Sequence, residues 1–531
     1  MIRLPQRETK SLLAIHGWSA VCLGLLLYVV IVTGVACVFA DEIGDWASPL
    51  PEAPTARFPS GIDAPLRTFA ESVDPSQRDA FFAFPRAGGR MYAQFHHDAR
   101  DASGKMVEHD IAVDIDPATM QIENRREGDD DALAAADRTN AISNFFINLH
   151  VRLHVPEPWG LLLTGVLGLA MMVAAVSGFL IHRHLIRELF TLRRRRDLLS
   201  ARDAHVVAGT WNLLFSFLLA FTGSFFSFAS SFGVPVMAMV AFNGDQEKAL
   251  ETMVGNPPAS DPRPATLANL DAMLADARTR THSEIYYIGI EHWGRADARV
   301  SVTMLPPEGE LLGTTYVYDG PSGGFQYEKP ALGRVPSVGG ALYGLMAPLH
   351  FGNFAGVLSK GVWFALGFAA AYVALSGMRL WTTRRAAEPG WRPLTRAVAG
   401  IGHGLPLALT AAAAACFIAQ IADAELEPVM MRSFLAVLAL ALAACWMVRD
   451  AERVSRALLL LNGVLMLALP ALRLLAGGPG WGAMFATGQF AVPAIDSALI
   501  IAGLTCLLAV WRATAAERGA RQALRFEQVR G

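Results

Sequence analysis

The sequence is short of charge and shorter still of cysteine. Only 17% of its 531 residues are Asp, Glu, Lys or Arg, where a soluble chain carries about a quarter. That deficit excludes an ordinary water-soluble fold for much of the chain. The five cysteines (Cys22, Cys37, Cys416, Cys445, Cys506) all fall in apolar runs. None sits in a polar segment, so the chain has neither a disulfide framework nor a CxxC metal or redox motif. Each reads as a small packing residue. GxGxxG, P-loop and flavin-like segments are also missing, which leaves the chain without a nicotinamide-binding domain of its own. A net charge of −2 gives no basis for binding nucleic acid.

Apolar residues make up 53% of the chain, and they are concentrated in eight runs. These span about 17–40, 159–181, 206–229, 355–380, 397–421, 431–448, 457–476 and 491–511, each long enough to cross a hydrocarbon core as a helix. The first run exceeds the 7–15 residues of a signal-peptide apolar core and reads as an uncleaved anchor. Arg3, Arg7 and Lys10 precede it. Arg183, Arg187, Arg193, Arg194, Arg195, Arg196 and Arg202 follow the second run, and Arg384, Arg385, Arg392 and Arg396 the fourth. Arg449, Arg453 and Arg456 follow the sixth, and Arg512, Arg518, Arg521, Arg525 and Arg530 follow the last. All these segments fall on one side, which predicts a multi-pass membrane protein with both termini cytoplasmic.

Two long polar segments, roughly 41–148 and 230–348, then lie outside. In the first, "PLRTFAESV" precedes "RMYAQFHHD" and "EHDIAVDIDPATMQIENRR". In the second, "TLANLDAMLADARTR" sets Leu267, Leu270 and Leu274 on one helical face, and strand-like runs follow. Each reads as a small α+β unit ending in a hairpin, at "DIDPATMQI" and "VYDGPSGGFQY". The first 380 residues are thus a doubled unit, because "INLHV" to "SGFLIHR" parallels "APLHF" to "SGMRLWT". Such repeats build pseudo-symmetric bundles with the site between the halves. The remaining four runs read as an appended bundle.

Histidines recur with the repeat: His16 with His205, His150 with His350, and His182 unpaired. Any one of them alone is read first as an interfacial residue. As pairs at two depths, neutral imidazoles on facing helices suit six-coordinate haem iron. Eighteen residues separate His16 from Gly34, and His205 from Gly223. That is five helical turns, which keeps each glycine on its histidine's face about 27 Å away. Gly34 and Gly223 then lie at the depth of His150 and His350, while Gly178 and Gly377 lie at the depth of His16 and His205. Glycine lets a flat macrocycle approach the backbone, although small residues also enrich ordinary membrane-helix contacts. Two bis-histidine b haems are the preferred reading. His182, four residues after Gly178, competes with His16 and His205 as an inner ligand or binds a propionate, for which Arg183 is a further candidate. His154 poses the same question outside, where Pro156 and Pro158 argue against helix.

The other histidines read as structural or solvated. Adjacent His96 and His97 would face opposite ways in a strand, and with His109, His282 and His292 they read as solvated surface. His403 in the fifth run is unassigned. Asp496, Arg432 and Arg473 read as interfacial.

At these residues the chain resembles the PepSY-associated transmembrane family. The motifs that carry the likeness are "IHGWSAVCLGLLLYVVIVTG", "LHVRLHVPEPWG", "SGFLIHRHLIRELFTLRRRR", "DAHVVAGTWNLL…LAFTG" and "PLHFG…LSGMRLW". The outside segments resemble PepSY domains at "DIDPATMQIENRR" and "VYDGPSGGF", with Met120 where the family usually turns on glycine. The likeness covers roughly residues 10–385. It implies a polytopic α-helical membrane protein of about eight transmembrane helices with two extracytoplasmic α+β PepSY-like domains. Its divisions are 1–40 (first span), 41–148 (first domain), 149–229 (spans two and three), 230–348 (second domain), 349–385 (span four) and 386–531 (appended bundle).

The likeness further implies a two-haem electron wire that reduces ferric siderophore outside the inner membrane and releases Fe(II). Carried over, the ligands are His16 and His205 inside, and His150 and His350 outside. The electron donor is then a quinol or a cytoplasmic reductase, and the other partner is the lipid bilayer. Two rivals stand beside this reading: a siderophore or metal permease, and a PepSY-based regulatory or binding protein.

Overall fold

The computed structural model describes residues 5–48, 58–100, 106–129, 132–133, 136–182, 190, 197–254, 259–333, 335–448 and 450–530. Arg3, Arg183, Arg187, Arg193, Arg194, Arg195, Arg196 and Arg449 lie outside the described residues. Among those described, eight helices are long and apolar enough to cross a membrane.

The first, α1 (Gln6–Cys37), starts just after Pro5, eleven residues before the apolar run, because the polar lead-in contains no helix breaker. A short helix, α2 (Ala40–Ala47), follows at once. The chain then enters the sheet through α3 (Asp63–Glu71) and strands β1 (Ala80–Arg86), β2 (Arg90–Arg100), β3 (Met106–Ile115) and β4 (Ile122–Gly128). It returns to the membrane region in α4 (Ala141–Arg152) and α5 (Trp159–Ile181). Leu153 and His154 adopt left-handed backbone between these two helices, and Pro156 and Pro158 keep them from fusing. His150 therefore rides on a separate short helix, not on the second span as its sequence pattern suggests.

The second unit repeats this order. Helices α6 (Asp197–Trp211) and α7 (Leu213–Ala241) are parted at Asn212, so the run read as 206–229 is two helices. Asn212 keeps its backbone bonds to Ala208 and from Ser216, but its backbone departs from helical geometry (φ −91°, ψ 1°), and its side-chain amide donates to the Ser216 hydroxyl, 3.1 Å away. Helices α8 (Gln246–Val254) and α9 (Leu270–Thr281) lead into β5 (Ile285–Glu291), β6 (Arg299–Met304), β7 (Thr315–Asp319) and β8 (Phe325–Lys329). Leu267 is buried but precedes α9, which starts after the Asn269 cap. Then α10 (Val338–Phe351) carries His350, ends at the left-handed Gly352, and is followed by α11 (Gly356–Arg384).

The polar segments do not form two separate sheets. Their strands join in one eight-stranded sheet, ordered β4-β3-β2-β1-β5-β6-β7-β8. The halves meet along antiparallel β1 and β5, from Ala80 opposite Glu291 to Ala83 opposite Ile288. One face is apolar and buried under α3 and α9, with Phe81, Phe95, Ile111, Ile288 and Val302 against Leu66, Phe69, Leu270 and Leu274. The two hairpin turns match closely. Met120 and Gly323 occupy equivalent left-handed positions (φ +59° and +71°), and their N–H groups donate to Asp116 and Asp319 carbonyls at 2.7 and 2.9 Å.

The appended bundle comprises α12 (Arg392–Ile421), α13 (Leu426–Met447), α14 (Ala451–Leu475), the short α15 (Trp481–Ala486) and α16 (Ala491–Arg530). Its α12 is the most enclosed of the eight spans, a position its Gly- and Ala-rich sequence suits because small side chains allow close helix approach.

Candidate functional site: two histidine pairs

Each repeat unit brings one histidine and one glycine to each of two levels in the membrane region. At the level far from the sheet, the His16 and His205 rings face one another with centroids 6.5 Å apart. At the level nearer the sheet, His150 and His350 do the same at 6.2 Å. The four glycines that the spacing singled out lie behind these rings. A methyl group built on Gly178 would meet His16 at 3.2 Å, and one on Gly377 would meet His205 at 3.0 Å. On Gly34 and Gly223 it would meet His150 and His350 at 2.7 and 3.1 Å. Each glycine therefore makes room for an imidazole, where its spacing had suggested room for a macrocycle.

The hydrogen bonds fix the tautomer of all four rings. Nδ1 of His150 lies 2.8 Å from the Val30 carbonyl, and Nδ1 of His16 lies 2.9 Å from the Ala174 carbonyl. A carbonyl only accepts, so both Nδ1 atoms carry the proton. Nδ1 of His205 meets the Ser376 hydroxyl at 3.0 Å, and Nδ1 of His350 meets the Thr222 hydroxyl at 2.8 Å. Both hydroxyls already donate to their own helices, Ser376 to Val373 and Thr222 to Leu218, so they accept from the rings. Each acceptor stands one or four residues before the matching glycine. With Nδ1 protonated in all four neutral rings, each Nε2 keeps a lone pair for a metal. The centroid separations also suit one metal ion between two such nitrogens: about 2.0 Å per bond plus about 1.1 Å from nitrogen to ring centre gives roughly 6.2 Å.

The neighbouring histidines take other places. His182 is the residue that follows α5, and its backbone N–H bonds to Phe179. The ring that faces His16 belongs to His205. His154 donates Nε2–H to the Phe145 carbonyl at 3.1 Å and lies on the Phe145 ring. His403 accepts at Nε2 from Arg379 on α11, 3.0 Å away. In the sheet, His96 and His97 do face opposite ways, towards Asp110 and Asp79, each at 2.7 Å. Burial disfavours the charged form of His96, yet Asp110, with Asp98 and Glu108 close by, raises its pKa above the ordinary imidazole value. No cluster of three or more metal-binding side chains occurs among the described residues.

The family model for the PepSY-associated TM region matches residues 13–384. This stretch holds all four paired histidines and all four glycines. The chain belongs to that family. A curated relative is 29% identical over 301 residues, 53% of this chain and 74% of its own length. It is an uncharacterized protein of Pseudomonas aeruginosa, PA4219. The family match stops at the end of α11, so the appended bundle lies beyond it.

Two polar residues that sequence reasoning placed at the interface are buried instead. Arg473 and Asp496 are each 1% exposed and form an ion pair at 2.9 Å. Trp46 and Trp481 both donate indole N–H to Asp496 at 2.7 Å. A charge in an apolar setting needs a partner, and for Asp496 that partner stands on the neighbouring helix. An acidic and a basic residue in adjacent apolar runs was the signal available in the sequence.

Proposed function

We propose that this protein carries electrons across the bacterial inner membrane between two b-type haems. One would be held by His16 and His205 and the other by His150 and His350. The observation that carries this reading is the fourfold recurrence of an Nδ1-tethered imidazole against a glycine, in facing pairs at two depths. Each haem, when bound, supplies a one-electron redox centre. The chain's own residues do the rest. The backbone and hydroxyl acceptors fix ring orientation, and Gly34, Gly178, Gly223 and Gly377 admit the rings against the helices. Two levels are needed because a hydrocarbon core of about 30 Å is too thick for one centre to serve both faces.

Arginine-rich connections in the sequence support a cytoplasmic side for the His16–His205 level and both termini. The sheet then stands outside. The acceptor there is a ferric siderophore, whose reduction releases the more weakly held Fe(II); this substrate rests on the family likeness. The donor, a quinol or a cytoplasmic reductase, comes from elsewhere.

A dithionite-reduced minus oxidised spectrum of the purified protein, with pyridine-haemochrome stoichiometry, tests the reading. The expected result is a b-type signal of about two haems per chain, with about one lost in His350→Ala and one in His205→Ala. Colourless protein from haem-replete cells would sink it.

A further inference from the structure

Beyond the two histidine pairs, we infer that the appended bundle is a positioning element for His150, with Asp496 acting through Trp46 and α2. The inference rests on the function proposed above only for what His150 does. The mechanical part stands on packing.

Helix α2 is pinned on three sides by polar contacts. Trp46 donates to Asp496 on α16, and its ring stacks edge-on against Phe417 of α12 at 5.1 Å. Glu42 takes both oxygens to within 2.8 Å of the Lys360 ammonium on α11. Asp45 accepts the backbone N–H of Gly88, in the turn between β1 and β2, at 3.0 Å. The pinned helix packs on α4, where Trp46 and Ala47 share one buried cluster with Ile142, Phe145 and Leu149. Two further contacts hold this part of the chain to the bundle: Phe145 meets Phe434 of α13 at 5.6 Å, and Arg138 meets Asp423 at 2.7 Å.

The far end of this assembly is anchored, because Asp496 is itself fixed. Its two oxygens take bonds from Arg473, Trp46 and Trp481, all within the protein. A satisfied, buried polar network of this kind has one geometry. It therefore transmits the position of α16 to α2, and from there to α4 and His150. The sequence of α2, "ADEIGDWA", fits this role, since Asp41 and Glu42 meet Lys360, Asp45 meets Gly88 and Trp46 meets Asp496.

Amide exchange on the full chain in detergent tests the assignment. Trp46→Phe keeps an aromatic ring at the site and removes one hydrogen bond. The expected outcome is about tenfold faster exchange over 141–152, with 338–351 unchanged. Trp481→Phe removes an equivalent donor from the same carboxylate without touching α2, and it should leave 141–152 as in the parent. Equal acceleration in both variants, or none in Trp46→Phe, overturns the inference. A redox titration adds the link to His150: Trp46→Phe should shift only the component that His350→Ala removes, and an unshifted component overturns that link. A parent protein without any such component sinks the functional reading, while the exchange result still decides the positioning role.

Discussion

Helices α4 and α10 occupy corresponding places in the two repeat units, and each carries a histidine of the same pair in its last turn. Their surroundings differ sharply. In α4, Ile142, Phe145 and Leu149 are buried, and the helix is flanked by α1, α2 and the appended bundle. In α10 only Gly340 is buried, and Val338, Leu342 and Phe351 are 79%, 56% and 53% exposed. The histidines are also held differently, His150 by a backbone carbonyl and His350 by the Thr222 side chain. Duplication has preserved the facing rings, while the support for each ring has diverged. Equal positions in a repeat do not mean equal rigidity, because rigidity comes from what packs behind the helix.

The largest effect should come from removing the anchor of the better-supported side. Asp496→Ala leaves Arg473 buried without its counter-charge and strips Trp46 and Trp481 of their acceptor. Breaking a buried pair in this way costs about 3–5 kcal/mol. Denaturant unfolding in detergent should show that loss. Amide protection over 141–152 should fall toward that of 338–351, so that α4 comes to resemble α10. Protection in α4 that survives the loss would mean that α1 and the remaining contacts of α2 and α13 hold this helix without Asp496.

Much of this arrangement was legible in the sequence, for a physical reason. Helical periodicity converts a residue spacing into a face and a depth, so the chain itself sets Gly34 in register with His16 and Gly223 with His205. The run 159–181 coincides with α5 for the same reason. Contacts between distant segments were not legible. The β1–β5 seam joins two segments far apart in the chain, and alternation within a strand says nothing of which strand lies beside it. Strand β1, "AFFAFPR", also escaped notice, since its nearly continuous apolar run lacks alternation. The separation of α4 from α5 was foreshadowed by Pro156 and Pro158, yet placing His150 on its own helix needed the left-handed pair Leu153 and His154. At Met120, a residue unfavourable in left-handed backbone holds the same turn that Gly323 holds, with its N–H on the Asp116 carbonyl as that of Gly323 is on Asp319. That Asp496 also takes a bond from the distant Trp46 is something no local pattern reports.

A second, smaller contrast lies behind the rings. A methyl group on Gly34 would approach His150 to 2.7 and 3.0 Å, whereas on Gly223 it would approach His350 no closer than 3.1 Å. His150 is boxed in by the α4 packing, and His350 sits on the more exposed helix. Gly34→Ala should therefore cost more, about 1–3 kcal/mol by overpacking, and Gly223→Ala less. Unfolding of the two single variants side by side measures the difference. Equal costs would show that α10 is as rigid as α4 despite its exposure.

The smallest expected effect separates the two ways of fixing a ring. Thr222→Val keeps the shape of the side chain and removes the hydroxyl that accepts from Nδ1 of His350. Losing one such bond costs about 1 kcal/mol, and it frees the tautomer, so Nε2 no longer has an assured lone pair. Thr33 stands at the matching place before Gly34, but its hydroxyl bonds to Val29 and Val30 of its own helix. The ring of His150 uses the Val30 carbonyl, which no side-chain substitution removes. Thr33→Val should thus leave His150 in place. In the redox titration, Thr222→Val is expected to shift the component assigned to the His150–His350 pair, and Thr33→Val to leave it where it is. A matching shift in both variants would mean that the hydroxyls act through helix packing rather than through the imidazole they touch.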